Sequence, residues 1–106
     1  MVKYEKVWAR SIGHDLKGIS ERIFNVIDGK IDDILDSPNT KSKKIKGWAY
    51  NIRRIRLGNY RLLIYVDDLN LTVYCLAYLP RKNCYSPETR AMIMNIARNV
   101  EKQKSI

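Results

Sequence analysis

The sequence predicts an α+β fold: two N-terminal helices packed on a twisted antiparallel sheet, in the order β-α-α-β-β-β, with a further helix at the C-terminus. Three observations carry this. Between Trp8 and Leu35 the apolar residues recur every three or four positions, the period of a helix. From Ala49 to Leu79 the period falls to two and the runs are broken by short polar turns, as in a meander of strands. Ser86-Pro87-Glu88 then supplies a capping hydroxyl, a proline suited to the first helical position and an acid in the first turn, which together start a helix.

The elements follow in order. VKYEKVW (residues 2–8) half-alternates and reads as a first strand. Trp8, Ile12, Leu16 and Ile19 form the stripe of the first helix. Ser20 either caps a second helix or lies in one that continues with a bend near Gly18. Ile23, Ile27, Ile31, Ile34 and Leu35 form the second stripe, and Ser37-Pro38-Asn39 ends it, because proline disfavours helical geometry in the residue before it. Asn39 to Lys46 reads as a lysine-rich loop. Strands are expected after Ala49, over Tyr60–Val66 and over Leu71–Leu79, with turns at Gly58-Asn59 and Asp67–Asn70. The third run, LTVYCLAYL, is apolar on both faces and reads as a central strand ended by Pro80. Met92, Ile93, Ile96, Ala97 and Val100 mark the apolar side of the last helix, and the tail EKQKSI is expected to fray.

At 106 residues the chain is expected to be one domain, residues 1–106. It has no apolar run long enough to span a membrane and no secretory h-region. Cys75 and Cys84 form no CxxC and His14 has no nearby ligand partner, so no metal and no cofactor is expected. Free thiols suit a reducing cytoplasm. The net charge is +9, and most of it is local. Lys41 to Arg61 holds eight basic residues and no acid, within an acid-free window from Ser37 to Val66. A positive field this concentrated attracts polyanions, nucleic acid above all.

The pattern narrows the chemistry. Arg54 and Arg56 leave one face of a strand, Arg61 begins the next, and Arg81 and Tyr85 follow the long strand. In a meander these five can converge on one sheet face. Arginine matches a phosphate with a planar, permanently charged fork. Several around one phosphodiester would stabilise a pentacovalent transition state, while RNA provides its own nucleophile in the 2′-hydroxyl. Tyr85 could serve as acid or base if the arginines lower its pKa from about 10. The same charges could equally hold a backbone without cutting it. Lys41, Lys43, Lys44, Lys46, Arg53 and Lys82 are further candidates for RNA contacts.

Five segments together resemble the RelE/ParE superfamily of bacterial and archaeal toxins from toxin–antitoxin modules: ILDSP (34–38), KIKG (44–47), RIRLGNYR (54–61), LLIYV (62–66) and RKNCY (81–85). The resemblance implies the α+β fold above and, for the RelE branch, a ribosome-dependent endoribonuclease that cleaves mRNA and leaves a 2′,3′-cyclic phosphate. It implies that Arg54, Arg56, Arg61, Arg81 and Tyr85 hold the catalytic places. Arg61 and Arg81 would stabilise the phosphate, Tyr85 would orient or deprotonate the 2′-hydroxyl, and Lys44 and Lys46 would hold ribosomal RNA. It implies three partners (mRNA, the ribosome and an acidic antitoxin) and leaves open a homodimer or a toxin–antitoxin hetero-oligomer. Two alternatives accompany it: a ParE-type inhibitor of DNA gyrase, and a nucleic-acid-binding member that does not cut. Pro80 stands where the family frequently has a histidine, and Arg54 where some members have lysine. Arginine is a poor proton donor, so these replacements favour charge stabilisation over acid catalysis. The C-terminal helix is long for the family and could cover the site, mediate dimerisation or complete the core.

Overall fold

A computed structural model describes residues 2–104. Its elements are β1 (Glu5–Trp8), α1 (Ile12–Asp15), α2 (Glu21–Ile34), α3 (Pro38–Lys41), β2 (Lys43–Lys44), β3 (Ile52–Leu57), β4 (Tyr60–Asp67), β5 (Thr72–Pro80) and α4 (Pro87–Lys104). The strands form one sheet in the order β1-β5-β4-β3-β2. The α+β class is that expected, and the order of elements is too, apart from α3 and β2, which stand where a loop was expected. The antiparallel meander β3-β4-β5 is flanked by β2 on one edge and on the other by β1, which pairs parallel to β5 and makes the sheet mixed. Alternation within a strand carries no signal for the direction of its neighbour, so only the chain's return path through α1 and α2 decides it.

Each sheet face carries its own core. On one, Ile27, Ile31 and Ile34 of α2 pack with Ile12 against Ile55, Leu62, Ile64, Val66, Val73 and Cys75. On the other, Ile93 and Ala97 of α4 pack against Ile52, Leu63, Tyr65, Leu76 and Ala77. Successive residues of β4 therefore serve opposite cores, as the two-residue strand period requires. Together with β5 it sits inside the sheet, in the central place expected for the most apolar run.

Four boundaries differ from the sequence reading. The first stripe is right, with Trp8, Leu16 and Ile19 packing beside buried Ile12, but its helix is a single turn. Gly18 takes φ +84°, which takes the chain out of helical geometry, and the Ser20 hydroxyl caps a separate helix by accepting from the Ile23 amide at 3.2 Å. The expected loop 39–46 contains a helical turn and a two-residue strand, fastened by the Arg53 bonds described below. Met92 is exposed, while Met94 joins Ile93, Ile96, Ala97 and Val100 against the sheet. The tail stays helical to Lys104 because the Glu101 carboxylate accepts the Tyr65 hydroxyl and ties the last turns to β4. Ser105 and Ile106 lie outside the described residues. His14 is exposed and Cys75 and Cys84 are buried free thiols, with burial pushing the Cys75 thiol up to about 12. No described helix is long and apolar enough to cross a membrane.

Candidate nucleic-acid site

β3, β4 and the segment after β5 meet at the end of the sheet that α4 leaves bare. Strand pairing sets Arg56 directly across from Arg61, and Arg54 across from Leu63, so all three arginines share the α4 face. The β3–β4 turn is tight because Gly58 adopts φ +63°, the left-handed geometry that a two-residue hairpin needs at its first loop position. Tyr60 pairs with Pro80, and the Arg81 amide donates to the Asn59 carbonyl at 2.8 Å. These two contacts bring the segment after β5 against the turn. Arg54, Arg56, Arg61, Arg81, Lys82 and Tyr85 thus gather around one cleft of about 530 Å³, whose remaining wall is Asn59, Tyr60 and Pro80.

The arginines are held differently. Arg61 is only 5% exposed, and its Nη1 donates to the Gly58 and Tyr60 carbonyls at 3.0 and 2.9 Å. Its Nε is a buried donor with no protein partner among the described residues. Arg61 lines the cleft, and a guanidinium held in place there is suited to an incoming anion, although its Nε is itself shut off from solvent. Arg54 lies over the Tyr85 ring, 5.6 Å from its centroid, and its Nη1 donates to the Tyr85 hydroxyl at 2.5 Å. Tyr85 is therefore oriented before any ligand arrives. Arg56, Arg81 and Lys82 are exposed.

The other basic residues divide. Lys43, Lys44 and Lys46 line a shallower groove of about 270 Å³ that runs up to Arg54 and Tyr85 and so extends the cleft. Lys44 also donates to the Tyr50 carbonyl at 3.0 Å. Lys41 does not face the cleft: it pairs with Asp36 at 2.9 Å and holds that carboxyl below its ordinary range. Nor does Arg53. Its guanidinium donates to Ser42 Oγ at 2.7 Å, the Asn39 and Ser42 carbonyls at 2.7 and 2.9 Å, and Asn51 Oδ1 at 3.1 Å. Partial burial lowers its pKa, and its bonds fasten α3 and β2 to the sheet edge. The sequence marked Gly58-Asn59 as a turn but gave no sign that the Asn59 carbonyl holds Arg81, since that contact depends on strand register.

No family model matches the chain, and no curated relative does. Among solved structures, the RelB–RelE antitoxin–toxin complex from Methanococcus jannaschii is similar at 35% identity over 74% of this chain and 94% of that one, with a TM-score of 0.58. The chain belongs to the RelE-like toxin superfamily. The RelBE2 toxin–antitoxin complex from Mycobacterium tuberculosis is similar at 27% identity, covering 76% of this chain and all of that one, with a TM-score of 0.64. A variant of the Escherichia coli toxin RelE in its free state shares the fold, with a TM-score of 0.66 at 17% identity, over 85% of this chain and 93% of that one. The cleft of this RelE-like chain lies on the hairpin and the post-β5 segment that carry RIRLGNYR and RKNCY.

Proposed function

We propose that this RelE-like chain is the toxin of a type II toxin–antitoxin pair and an endoribonuclease that cuts mRNA on the ribosome, in the cytoplasm. The observation that supports it most is the cleft itself: four arginines and a tyrosine converge, with Arg61 fixed by its bonds to the Gly58 and Tyr60 carbonyls. A phosphodiester seated there accepts from Arg61 and Arg81. The neighbouring 2′-hydroxyl of the RNA attacks that phosphorus and gives up its proton, the bond to the 5′-oxygen breaks, the leaving oxygen takes a proton from water, and the products are a 2′,3′-cyclic phosphate and a 5′-hydroxyl. Arg61 and Arg81 stabilise the extra charge of the pentacovalent state. Arg54 holds Tyr85, whose hydroxyl orients the 2′-hydroxyl or takes its proton. Arg56 and Lys82 add charge at the rim, and Lys43, Lys44 and Lys46 hold the ribosomal RNA. An acidic antitoxin segment would neutralise the same surface.

Pro80 favours a second reading, a protein that binds RNA without cutting it. It ends β5 beside Tyr60, at the place where the family often carries a histidine. One experiment separates the two. Purified, antitoxin-free protein and its Arg81→Ala variant are incubated with a translating mRNA, with and without ribosomes, and the new ends are mapped. Ribosome-dependent cuts with cyclic-phosphate ends, lost in Arg81→Ala, are expected. Folded protein that binds RNA but leaves it intact would establish the second reading.

A further inference from the structure

Tyr85 enters the cleft from a segment with few fastenings. At its start the Arg81 amide is bonded to the Asn59 carbonyl, and the Asn83 amide closes a turn on the Pro80 carbonyl at 3.0 Å. Cys84 is buried, and its thiol donates back to the Arg81 carbonyl at 3.2 Å. Beyond Cys84, Tyr85 itself is exposed, and its ring and hydroxyl meet Arg54 on the sheet. What ties this end of the segment to the body is the first turn of α4. Thr89, only 8% exposed, donates from its hydroxyl to the Asn83 carbonyl at 2.7 Å.

The directions of these hydrogen bonds follow from their partners. Ser86 Oγ accepts from the Thr89 amide at 3.2 Å, as a helix cap does, and its own proton goes to Thr89 Oγ1 at 3.0 Å. Thr89 Oγ1 must then donate onward, and a carbonyl can only accept. The chain Ser86–Thr89–Asn83 therefore has one polarity and no slack. Thr89 also sits one helical turn before Ile93, the fully buried anchor of α4 on the sheet. The Asn83 carbonyl also accepts from the Ser86 amide, at a longer 3.4 Å, so the Thr89 hydroxyl is the shorter of two bonds that join the place of Tyr85 to the seating of α4.

We propose that Thr89 is a positioning residue of the cleft: its hydroxyl fixes the Asn83 carbonyl and so keeps the Tyr85 hydroxyl on Arg54. This rests on the nuclease reading only where cutting is the readout. Thr89→Val keeps the volume and removes the hydroxyl, Thr89→Ser keeps the hydroxyl, and Ser86→Ala breaks the chain from its other end should the valine variant not fold. Cutting is measured on programmed ribosomes over a range of ribosome concentrations. Thr89→Val should lower kcat by about 10- to 100-fold, the cost of a small misplacement of a reacting group, with KM unchanged. Thr89→Ser should stay close to wild type. In a Tyr85→Phe background the valine substitution should add little, because its effect passes through the Tyr85 hydroxyl. A wild-type rate in Thr89→Val, or an equal loss in both backgrounds, would overturn the inference. A second readout does not need activity: proton nuclear magnetic resonance should show the Tyr85 ring close to the Arg54 side chain in wild type and Thr89→Ser, and not in Thr89→Val. That contact persisting in Thr89→Val overturns the positioning role whether or not the protein cuts RNA. A wild type that cuts nothing overturns the nuclease reading alone.

Discussion

Arg53 and Arg54 are adjacent in sequence and carry the same charge, yet they do opposite work. Arg53 leaves β3 toward the α2 side, where four bonds from its guanidinium to Asn39, Ser42 and Asn51 hold α3 and β2 in place. Arg54 leaves toward the α4 side, where it meets the Tyr85 hydroxyl and sits between the cleft and the lysine groove. The same contrast runs along β4, where Leu62 is sealed under α2 and Arg61 lines the cleft. Charge therefore does not define the site by itself. The site is the part of the α4 face that α4 does not reach, and a cation belongs to it only if it projects there.

Leu62 and Arg61 are neighbours on β4 that face opposite sides, so substituting each in turn separates core from cleft. Leu62→Ala should cost about 2–5 kcal/mol of stability, read from urea unfolding, because a fully buried side chain leaves a cavity. Its cutting rate per folded molecule should stay near wild type. Arg61→Ala should lower cutting by about 10²–10³-fold, the range seen when one fixed donor to a transition-state oxyanion is removed. Single-turnover cleavage on ribosomes measures it, with Arg61→Lys testing whether charge without the fork suffices.

Smaller effects separate the neighbouring arginines. Arg53→Ala should lose about 1–3 kcal/mol of stability, since it removes four bonds and leaves half-buried acceptors at Ser42 and Asn51 short of a donor. Its RNA affinity should keep the same salt dependence. Arg54→Ala should do the reverse: stability within about 0.5 kcal/mol, and a log–log salt slope for a single-stranded RNA shallower by about 0.7. Equal slopes for the two variants would refute the division between them.

The smallest effect concerns a charge on the covered side. Asp15 accepts from the Tyr78 amide at 3.1 Å, and burial raises its pKa above the ordinary 3.8 despite that bond. A raised carboxyl pKa means the folded state holds the proton more tightly. Stability from this group is then greatest below the unfolded pKa, falls as pH rises through 3.8 to the folded value, and stays reduced at neutral pH. Asp15→Asn keeps an acceptor for the amide and removes the titration. Its melting temperature should gain on wild type as pH is raised from about 3 to 6, as thermal melts at several pH values would show.

Most of the fold was legible because each element's signal is local. The stripes of α2, the alternation in β3 and β4, and the Ser86 cap each depend on residues within a few positions of one another. The readings that failed had two kinds of cause. α1 stops after one turn beside Gly18, three residues on, whose left-handed conformation a stripe of apolar residues does not report, whereas the last turns of α4 hold because Glu101 reaches Tyr65, thirty-six residues away. In the site the residue types were readable and their allegiance was not: Lys41 and Arg53 belong to the dense basic run, but their partners lie outside the cleft.

The class of fold, the concentration of positive charge and the alternation that sends Arg54 and Arg56 to one face of a strand are all readable in the sequence. These follow from side-chain periods and from charge, which are properties of short segments. Tertiary structure alone decided that β1 runs parallel to β5, that Arg81 and Tyr85 meet those arginines across the hairpin, and that Arg61 keeps a buried donor unpartnered. Each of these depends on register and on where α4 ends. A shift of one residue would send every side chain of a strand to the other face, so only the assembled sheet can fix it.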